Sequence, residues 1–396
     1  MKIAWVSAEW PPHQGGIGTY SLDIVAALRR LGHHVEIICY TDGGKKGEKH
    51  VWPVLDLKKA NWSETLYKTI KKINPDLVHV QHEYGMYIND EDYSFSLLRA
   101  LFKLRFTEDK LPLIMTYHSV FRLLSDMESK YMDISLKIID AGIVHERYQF
   151  ELLPMNIGRV PDNVYVIPHG AKKIKPYPNA KRDIGLDEKK IVGMIGWWEE
   201  DKGFHRVVEM WANIKKTVGK DWMLVVAGGA RLGSSSGRQF RPKLMNAIDS
   251  SKAKNSIKVI EGAFNPEQYD KILSSFDMMV LPYKRASQSG NLAHGFALGV
   301  PAVVDGLEGL KAEIEESRAG LAVAPGDDIE LERAIKILMT DDNLREKCSE
   351  RARKYVTKAI SWDIVAKKHV ELYKEAMRWK REEPLVFKKE HGYDYK

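Results

Sequence analysis

Two cysteines, Cys39 and Cys348, are all that the 396 residues contain. They are too few for a disulfide framework and fit a reducing cytoplasm. No apolar stretch reaches the ~18 residues that suggest a membrane span. The opening MKIAWVSAEWPP has one Lys and a short strand-like run broken by Pro-Pro, which argues against a signal peptide. Glutamine is scarce while Lys and Glu are plentiful, a balance that leans towards a thermophilic source. The net charge of +7 admits nucleic acid, an anionic membrane surface or an anionic ligand. Without zinc-finger spacing or a basic helix with heptads, nucleic acid is the weakest of these. No paired acidic motif offers a metal site, and no internal repeat has solenoid spacing.

What is present is ordinary for a soluble globular protein, with 44% hydrophobic and 29% charged residues. The length exceeds the ~250–300 residues at which single cores stop growing, so two domains are expected. Short apolar runs alternate with helical periodicity from the start: Ile3–Ser7, then Thr19–Leu31 with Leu22, Val25, Ala26, Leu28 and Leu31 on helical spacing, then Val35–Tyr40. Leu77–Val80, Leu113–Tyr117, Gly142–Val144 and Tyr165–Ile167 are further buried-strand candidates. The pattern restarts after Pro168-His169-Gly170 and the Pro- and Lys-rich AKKIKPYPNAKRDIG, which reads as a linker. Strands resume at Ile191–Ile195, Met223–Val226, Lys258–Ile260, Met278–Leu281, Ala302–Val304 and Leu321–Val323. Two doubly wound α/β domains follow, 1–169 and 170–375, with a helix at about 376–396 crossing back to the first. Ligands in such sheets sit at the carboxyl ends of the strands.

Two loops have the character of anion sites. In Leu281 to Val304, LPYKRASQSGNLAHGFALGVPAVV, a polar loop with Gln288-Ser289-Gly290 follows a strand and opens a small-residue helix. Free backbone N–H groups and the positive end of the helix dipole suit a phosphate or diphosphate there. Between the first strand and first helix runs Glu9-Trp10-Pro11-Pro12-His13-Gln14-Gly15-Gly16-Ile17-Gly18, where glycines let the backbone approach a ligand. As a dinucleotide fingerprint it fails: Ser21 stands where the third glycine belongs, and no acidic residue sits cleanly at the end of the second strand. Two anion-binding loops suggest a nucleotide-linked substrate held between the domains.

The order of these features resembles one family over nearly the whole chain. The N-terminal E-x-P-P-x-x-G-G-x-x-x-Y-like loop, Thr116-Tyr117-His118, the Lys202-Gly203 turn, the strand–SQSG–helix–G-x-P unit and Val166-Ile167-Pro168-His169-Gly170 together resemble a retaining glycosyltransferase of GT-B fold, family 4. The resemblance implies two Rossmann-like domains facing each other across a cleft. A sugar, with glucose and mannose the first guesses, would pass from a nucleotide sugar to a sugar, sugar-phosphate or lipid-linked acceptor with the anomeric configuration retained. No cofactor and no metal are expected, because cationic groups and loop amides serve the leaving diphosphate. Lys202 matches the family's phosphate-binding lysine. Gln288 belongs to the same loop as Ser289 and Gly290, which would give N–H groups to the diphosphate, and Gly15 and Gly16 would close on it. His118 becomes a donor-sugar or acceptor contact near the reaction centre, and Glu313 matches the acidic residue after the last donor loop. Glu9, with His82, Glu83 and Tyr84 at the end of another strand, is placed on the acceptor side.

Two departures stand out. Trp197 occupies the position where the family commonly has arginine, and Arg206, Arg231, Lys284 or Arg285 could supply that charge; Arg206 is counted with the donor site. Ala286 and His294 stand where fuller motifs carry two glutamates, so His294 could contact the ribose or be an ordinary half-buried helix residue. A sugar-nucleotide epimerase of the same architecture and a nucleotide-sugar-binding protein with a decayed site are the competing readings. Finally, FSLLRALFKLRF, Phe95 to Phe106, is apolar with interspersed Arg99, Lys103 and Arg105. It reads as a helix packed on the first sheet, or as a peripheral contact with the inner face of an anionic membrane.

Overall fold

Continuous apolar runs such as MMVL and LIMTY, buried on every residue, are what a parallel sheet covered on both faces requires. The computed structural model describes residues 1–13, 15–88, 95–107, 111–230, 235–286 and 289–382. The first unit begins β1 (Lys2–Val6), α1 (Gly16–Arg30), β2 (His34–Tyr40), β3 (Val51–Leu55), α2 (Trp62–Ile73) and β4 (Leu77–His82). It continues α3 (Phe95–Phe106), β5 (Leu113–Tyr117), α4 (Asp126–Ile138), β6 (Ala141–Val144), α5 (Arg147–Ile157) and β7 (Val164–Val166). The second unit runs α6 (Ala180–Asp183), β8 (Lys190–Trp197), α7 (Phe204–Thr217), β9 (Trp222–Gly229), α8 (Ser235–Ser250), β10 (Ile257–Glu261) and α9 (Pro266–Ser274). It ends β11 (Met278–Leu281), α10 (Gly290–Leu298), β12 (Ala302–Asp305), α11 (Glu308–Ser317), β13 (Gly320–Val323), α12 (Asp328–Thr340) and α13 (Asp342–Tyr355), before α14 (Trp362–Glu382).

Both sheets are wholly parallel, ordered β3-β2-β1-β4-β5-β6-β7 and β10-β9-β8-β11-β12-β13. Each therefore reverses direction once, between β1 and β4 in one unit and between β8 and β11 in the other. Those reversals are the positions where open α/β sheets bind ligands.

The compact units are Met1–Gly170 with Trp362–Lys396, and Ala171–Ser361. The chain thus re-enters the first unit at Trp362 rather than at about residue 376, and the end of that expected helix, 383–396, lies outside the described residues. Packing explains the early return. A Cβ on Gly170 would lie 2.2 Å from the Trp362 ring, so the indole fills the space that glycine leaves. Val365, Ala366, Val370 and Tyr373 then join Tyr20, Ile24 and Leu28 of α1 in one buried cluster. The expected linker is part of the second unit, where Lys181 of α6 holds Asp277 at 2.7 Å.

Of the strands, only β3, VWPVL, escapes the sequence reading. Pro53 argues against a strand because it lacks an N–H, but β3 is the edge of its sheet, where that loss is tolerated. Helix α3 matches its expected span and packs against α2 and α4. Among its basic residues, Lys103 is held by Glu64 at 2.8 Å and Arg105 by Asp140 at 2.5 Å.

Candidate functional site

In the second unit the loops leaving β8 and β11, the strands flanking the reversal, are laced together. After Trp197 closes β8 beside Gly229, a single 3-10 turn, Glu200–Lys202, leads to Gly203. Gly203 has φ +66°, and a Cβ there would lie 1.9 Å from the Pro282 carbonyl oxygen, so only glycine permits this crossing. Lys284 N–H donates to Asp201 O at 2.7 Å and completes the link. The Lys202 ammonium lies 4.2 Å from the centre of the Tyr283 ring. Tyr283 Oη is 3.2 Å from the Asn291 amide nitrogen, which also donates to Ile195 O at 2.9 Å, while Tyr269 donates to the Asn291 oxygen at 2.6 Å. Asn291 therefore fastens the first turn of α10 to the end of β8, a role the sequence reading missed because its partners are distant in sequence.

Ser289 is the N-cap of α10 and its hydroxyl accepts from Leu292 N–H at 3.4 Å. Among the described residues, the N–H groups of Gly290 and Asn291 have no acceptor, as expected of a helix's first turn. Gly290 is exposed and a Cβ on it would meet nothing within 4 Å, so no protein atom requires glycine there. Gln288 and Arg231 lie outside the described residues.

The candidates for the charge missing at Trp197 separate clearly. Arg206 is 7% exposed and its guanidinium is consumed by Asp305 at 2.6 Å, Asp328 at 2.8 Å and Pro282 O at 3.2 Å. It braces β12 and α12, and each of its contacts is to the protein's own oxygens. Lys284 pairs with Glu200 at 3.0 Å, and the same carboxylate takes Lys243 at 2.9 Å. The hydrogen bonds from Lys243 and Lys284 hold the Glu200 carboxyl down at about 2. Of Lys202, Arg206 and Lys284, only Lys202 has no carboxylate partner among the described residues. His294 pairs with Asp270 at 2.5 Å and is half-buried on α10, whereas Glu313 is buried in the second turn of α11 instead of its first.

In the first unit the two candidate glycines have different causes. A Cβ on Gly15 would lie 1.7 Å from Glu9 Oε2, so the half-buried Glu9 side chain fills that space. The same oxygen accepts from Gly18 N–H at 3.3 Å, which puts a carboxylate at the N-terminus of α1. Gly16, exposed at the first helical position, meets nothing within 4 Å. Glu9 therefore belongs with the α1 loop, where it serves the chain's own helix.

At the end of β4, His82 is 1% exposed and stacks on Tyr131 with ring centres 4.7 Å apart, with Tyr84 and Tyr87 around it. Burial lowers its pKa to about 3. His82 and the buried Tyr84 thus belong to an aromatic stack in the core of the first unit. Glu83 bends back to accept from Gly85 N–H at 2.8 Å, and burial raises its pKa.

His118 is buried in a directional chain of hydrogen bonds. His145 Nδ1 faces the Ile167 carbonyl oxygen at 3.0 Å and must donate to it. His145 Nε2 is then an acceptor for His118 Nδ1–H at 3.3 Å, which leaves His118 Nε2 an acceptor, 3.0 Å from the Gln81 amide. Gln81 places Oε1 there and leaves its buried nitrogen unpartnered; the turned amide would give His118 an N–H donor and put the oxygen in the nitrogen's place. Burial, reinforced by His145, His169, His79 and His82, keeps the His118 pKa well below its ordinary value. His118 is a neutral imidazole with both nitrogens committed.

The comparisons with known proteins agree with this architecture. The profile for Glycosyltransferase Family 4 matches residues 14–172 and that for Glycosyl transferases group 1 matches residues 177–355. A D-inositol 3-phosphate glycosyltransferase of Corynebacterium urealyticum is 28% identical over 212 residues, 52% of this chain and 48% of that one, so the match spans about half of that relative. An uncharacterized glycosyltransferase of Methanocaldococcus jannaschii is 22% identical over 95% of this chain and 99% of its own. Among solved structures, sucrose-phosphate synthase from Thermosynechococcus elongatus superposes with TM-score 0.77 at 18% identity, covering 96% of this chain and 99% of that one. Anabaena HepE in complex with UDP and glucose does so with TM-score 0.74 at 16% identity, covering 95% and 100%.

Proposed function

We propose, for a chain that belongs to the family-4 glycosyltransferases and has the GT-B fold, transfer of a hexosyl group from a nucleotide sugar to a sugar, sugar-phosphate or lipid-linked acceptor, with retention and without a metal at the diphosphate. Glucose and mannose are the sugars to try first. UDP donors come first among the nucleotides, because solved neighbours were captured with UDP and UDP-glucose.

The observation that carries this reading is the open first turn of α10. Two N–H groups without acceptors stand at an exposed glycine, joined through Asn291 and Tyr283 to Lys202. Charge developing on a departing diphosphate is what such fixed donors and an ammonium stabilise, and they stand in for a divalent ion there. Nothing in the sequence identifies the carboxylate pair that retaining hydrolases use for a covalent route. Retention then calls for front-side attack, with the diphosphate oxygen taking the acceptor's proton. His118 enters as a neutral hydrogen-bonding group, since its depressed pKa disqualifies it as a base.

The test is thermal stabilisation with a panel of nucleotides and nucleotide sugars, with and without magnesium, followed by turnover with the selected donor. We expect one nucleotide sugar to give a saturable, magnesium-independent shift, of about 2.7 kcal/mol at a hundredfold excess over Kd. Lys202→Ala should lower kcat by about 10²–10³, the cost of removing one transition-state donor. Absence of any shift would overturn the donor site and favour the decayed-site reading, to which Trp197, Ala286 and His294 point. Turnover without an acceptor to a new sugar nucleotide would favour the epimerase.

A further inference from the structure

At the opposite, amino end of the first sheet the fold assembles a donor set that the transfer reaction does not use. His34 and Glu36 are two residues apart on β2, so the pleat sends both side chains to one face. Strand β3 pairs in parallel with β2, Ile37 opposite Val51, and His50 O accepts from Ile37 N–H at 2.8 Å. That register sets His50 level with Glu36. Its backbone is fixed at φ +65°, uncommon for a residue with a Cβ. His34 Nε2 lies 2.6 Å and His50 Nδ1 3.0 Å from Glu36 Oε1, and the three donor atoms lie within 4.8 Å of one another.

We propose that His34, Glu36 and His50 form a binding site for one zinc-class divalent cation, with two imidazole nitrogens and one carboxylate oxygen as protein ligands. Tetrahedral ligands at zinc bond lengths stand about 3.3 Å apart, close to the spacing found here, and three protein ligands leave a fourth position for water. Imidazole with carboxylate suits zinc, copper and nickel, whereas a magnesium-type ion prefers all-oxygen surroundings.

Two further observations support the assignment. Glu36 is buried, and the Trp52 indole N–H donates to its other oxygen at 2.7 Å. That bond turns Oε1 towards the histidines, as outer-shell partners of metal-bound carboxylates do. The nearby cations are turned elsewhere, leaving the carboxylate to the two histidines. Arg29 donates to Val35 O at 2.8 Å, and Lys72 lies over the Trp52 ring at 5.3 Å. Both histidine side chains remain 46% exposed, so an ion can enter. Coordination takes the lone pair of the ring nitrogen that faces Glu36, so each bound imidazole carries its proton on the other nitrogen.

The bound ion would tie the edge strand to β2 and anchor the return of the segment 41–50. That segment reaches the first loop, where Asp42 holds His13 at 2.8 Å. Its role is therefore structural. The test is titration of the metal-stripped full chain with zinc chloride against a chromophoric chelator, repeated with cobalt chloride while recording the visible spectrum. We expect one equivalent to bind, a tetrahedral-type cobalt spectrum and a higher Tm. The surface variant His34→Gln/His50→Gln should fold normally and lose the spectrum, and Trp52→Phe should weaken binding about 10–100-fold. Equal binding by the double variant and the parent, or no stoichiometric binding by the parent, would overturn the site.

Discussion

The two units share a sheet order about their reversals yet differ in the balance of their buried polar groups. The second unit uses full charges: Arg206 is locked between Asp305, which has no exposed surface, and Asp328, and the half-buried Lys181 holds Asp277. The first unit has such a pair, Arg105 with Asp140, and adds a set of buried rings. His79, His82, His118, His145 and His369 are all buried and bonded or stacked among Tyr20, Tyr131 and Tyr373. One scaffold thus accepts either solution around its sheet. The choice decides how each half responds to pH and to loss of a single partner.

The largest expected effect is therefore acidification. Burial lowers the pKa of His82 and His145 to about 3 and of His369 to about 4, and pushes those of His79 and His118 well below the usual value. An unfolded histidine titrates near ~6.5, so these depressed groups contribute stability that is fully present above that pH. It is lost as pH falls from ~6.5 towards 3–4, because only the unfolded chain takes up protons in that window. Each such proton costs about 1.4 kcal/mol per pH unit. The second unit contains only His205 and His294. Hydrogen exchange followed by unit should show protection in the first unit collapsing between pH 6.5 and 4 while the second holds. A parallel loss in both would break the comparison.

Next comes the charge-based unit. Arg206→Leu leaves Asp305 buried and unpaired, and removing one member of a buried pair costs about 3–5 kcal/mol. Denaturant unfolding should show this loss, and Arg206→Leu/Asp305→Leu should recover much of it. If Arg206 only braces the loops, the double variant also recovers nucleotide affinity. A persistent affinity loss in a restored fold would keep Arg206 in the donor site.

What the sequence disclosed follows the same division. Strands buried on both faces announce themselves as apolar runs, so Leu113–Tyr117 and Met278–Leu281 agree residue for residue with β5 and β11. Strand β3 was hidden by Pro53, whose missing N–H matters only if a neighbour exists on both sides. The loops that form the candidate site were legible because helix N-termini and glycines mark them locally. Their partners were not. Nothing near Arg206 in sequence discloses Asp305, and nothing near His82 discloses Tyr131, since these contacts depend on how separate strands are ordered in the sheet. The imidazole–carboxylate cluster was missed for that reason too: His50 joins Glu36 only through the pairing of β3.

The smallest stability effect is the sharpest probe of the donor site, because glycine has a different cause at each position. Gly203→Ala would drive a methyl into Pro282 O and should destabilise the fold whatever the ligand, whereas Gly15→Ala meets only the end of the Glu9 side chain, which can swing aside. Gly16→Ala and Gly290→Ala meet open space at the start of a helix and adopt no left-handed backbone. Replacing glycine where the backbone is unstrained stabilises by about 0.4–1 kcal/mol through the unfolded chain. We therefore expect both variants to keep or slightly raise Tm in the absence of ligand. If their glycines exist so that a diphosphate can approach the amides, Gly290→Ala should nonetheless lose the nucleotide-induced shift. An alanine at 290 that leaves both Tm and the nucleotide shift intact would mean that the open first turn of α10 is not where the diphosphate lies, however well its unsatisfied N–H groups suit one.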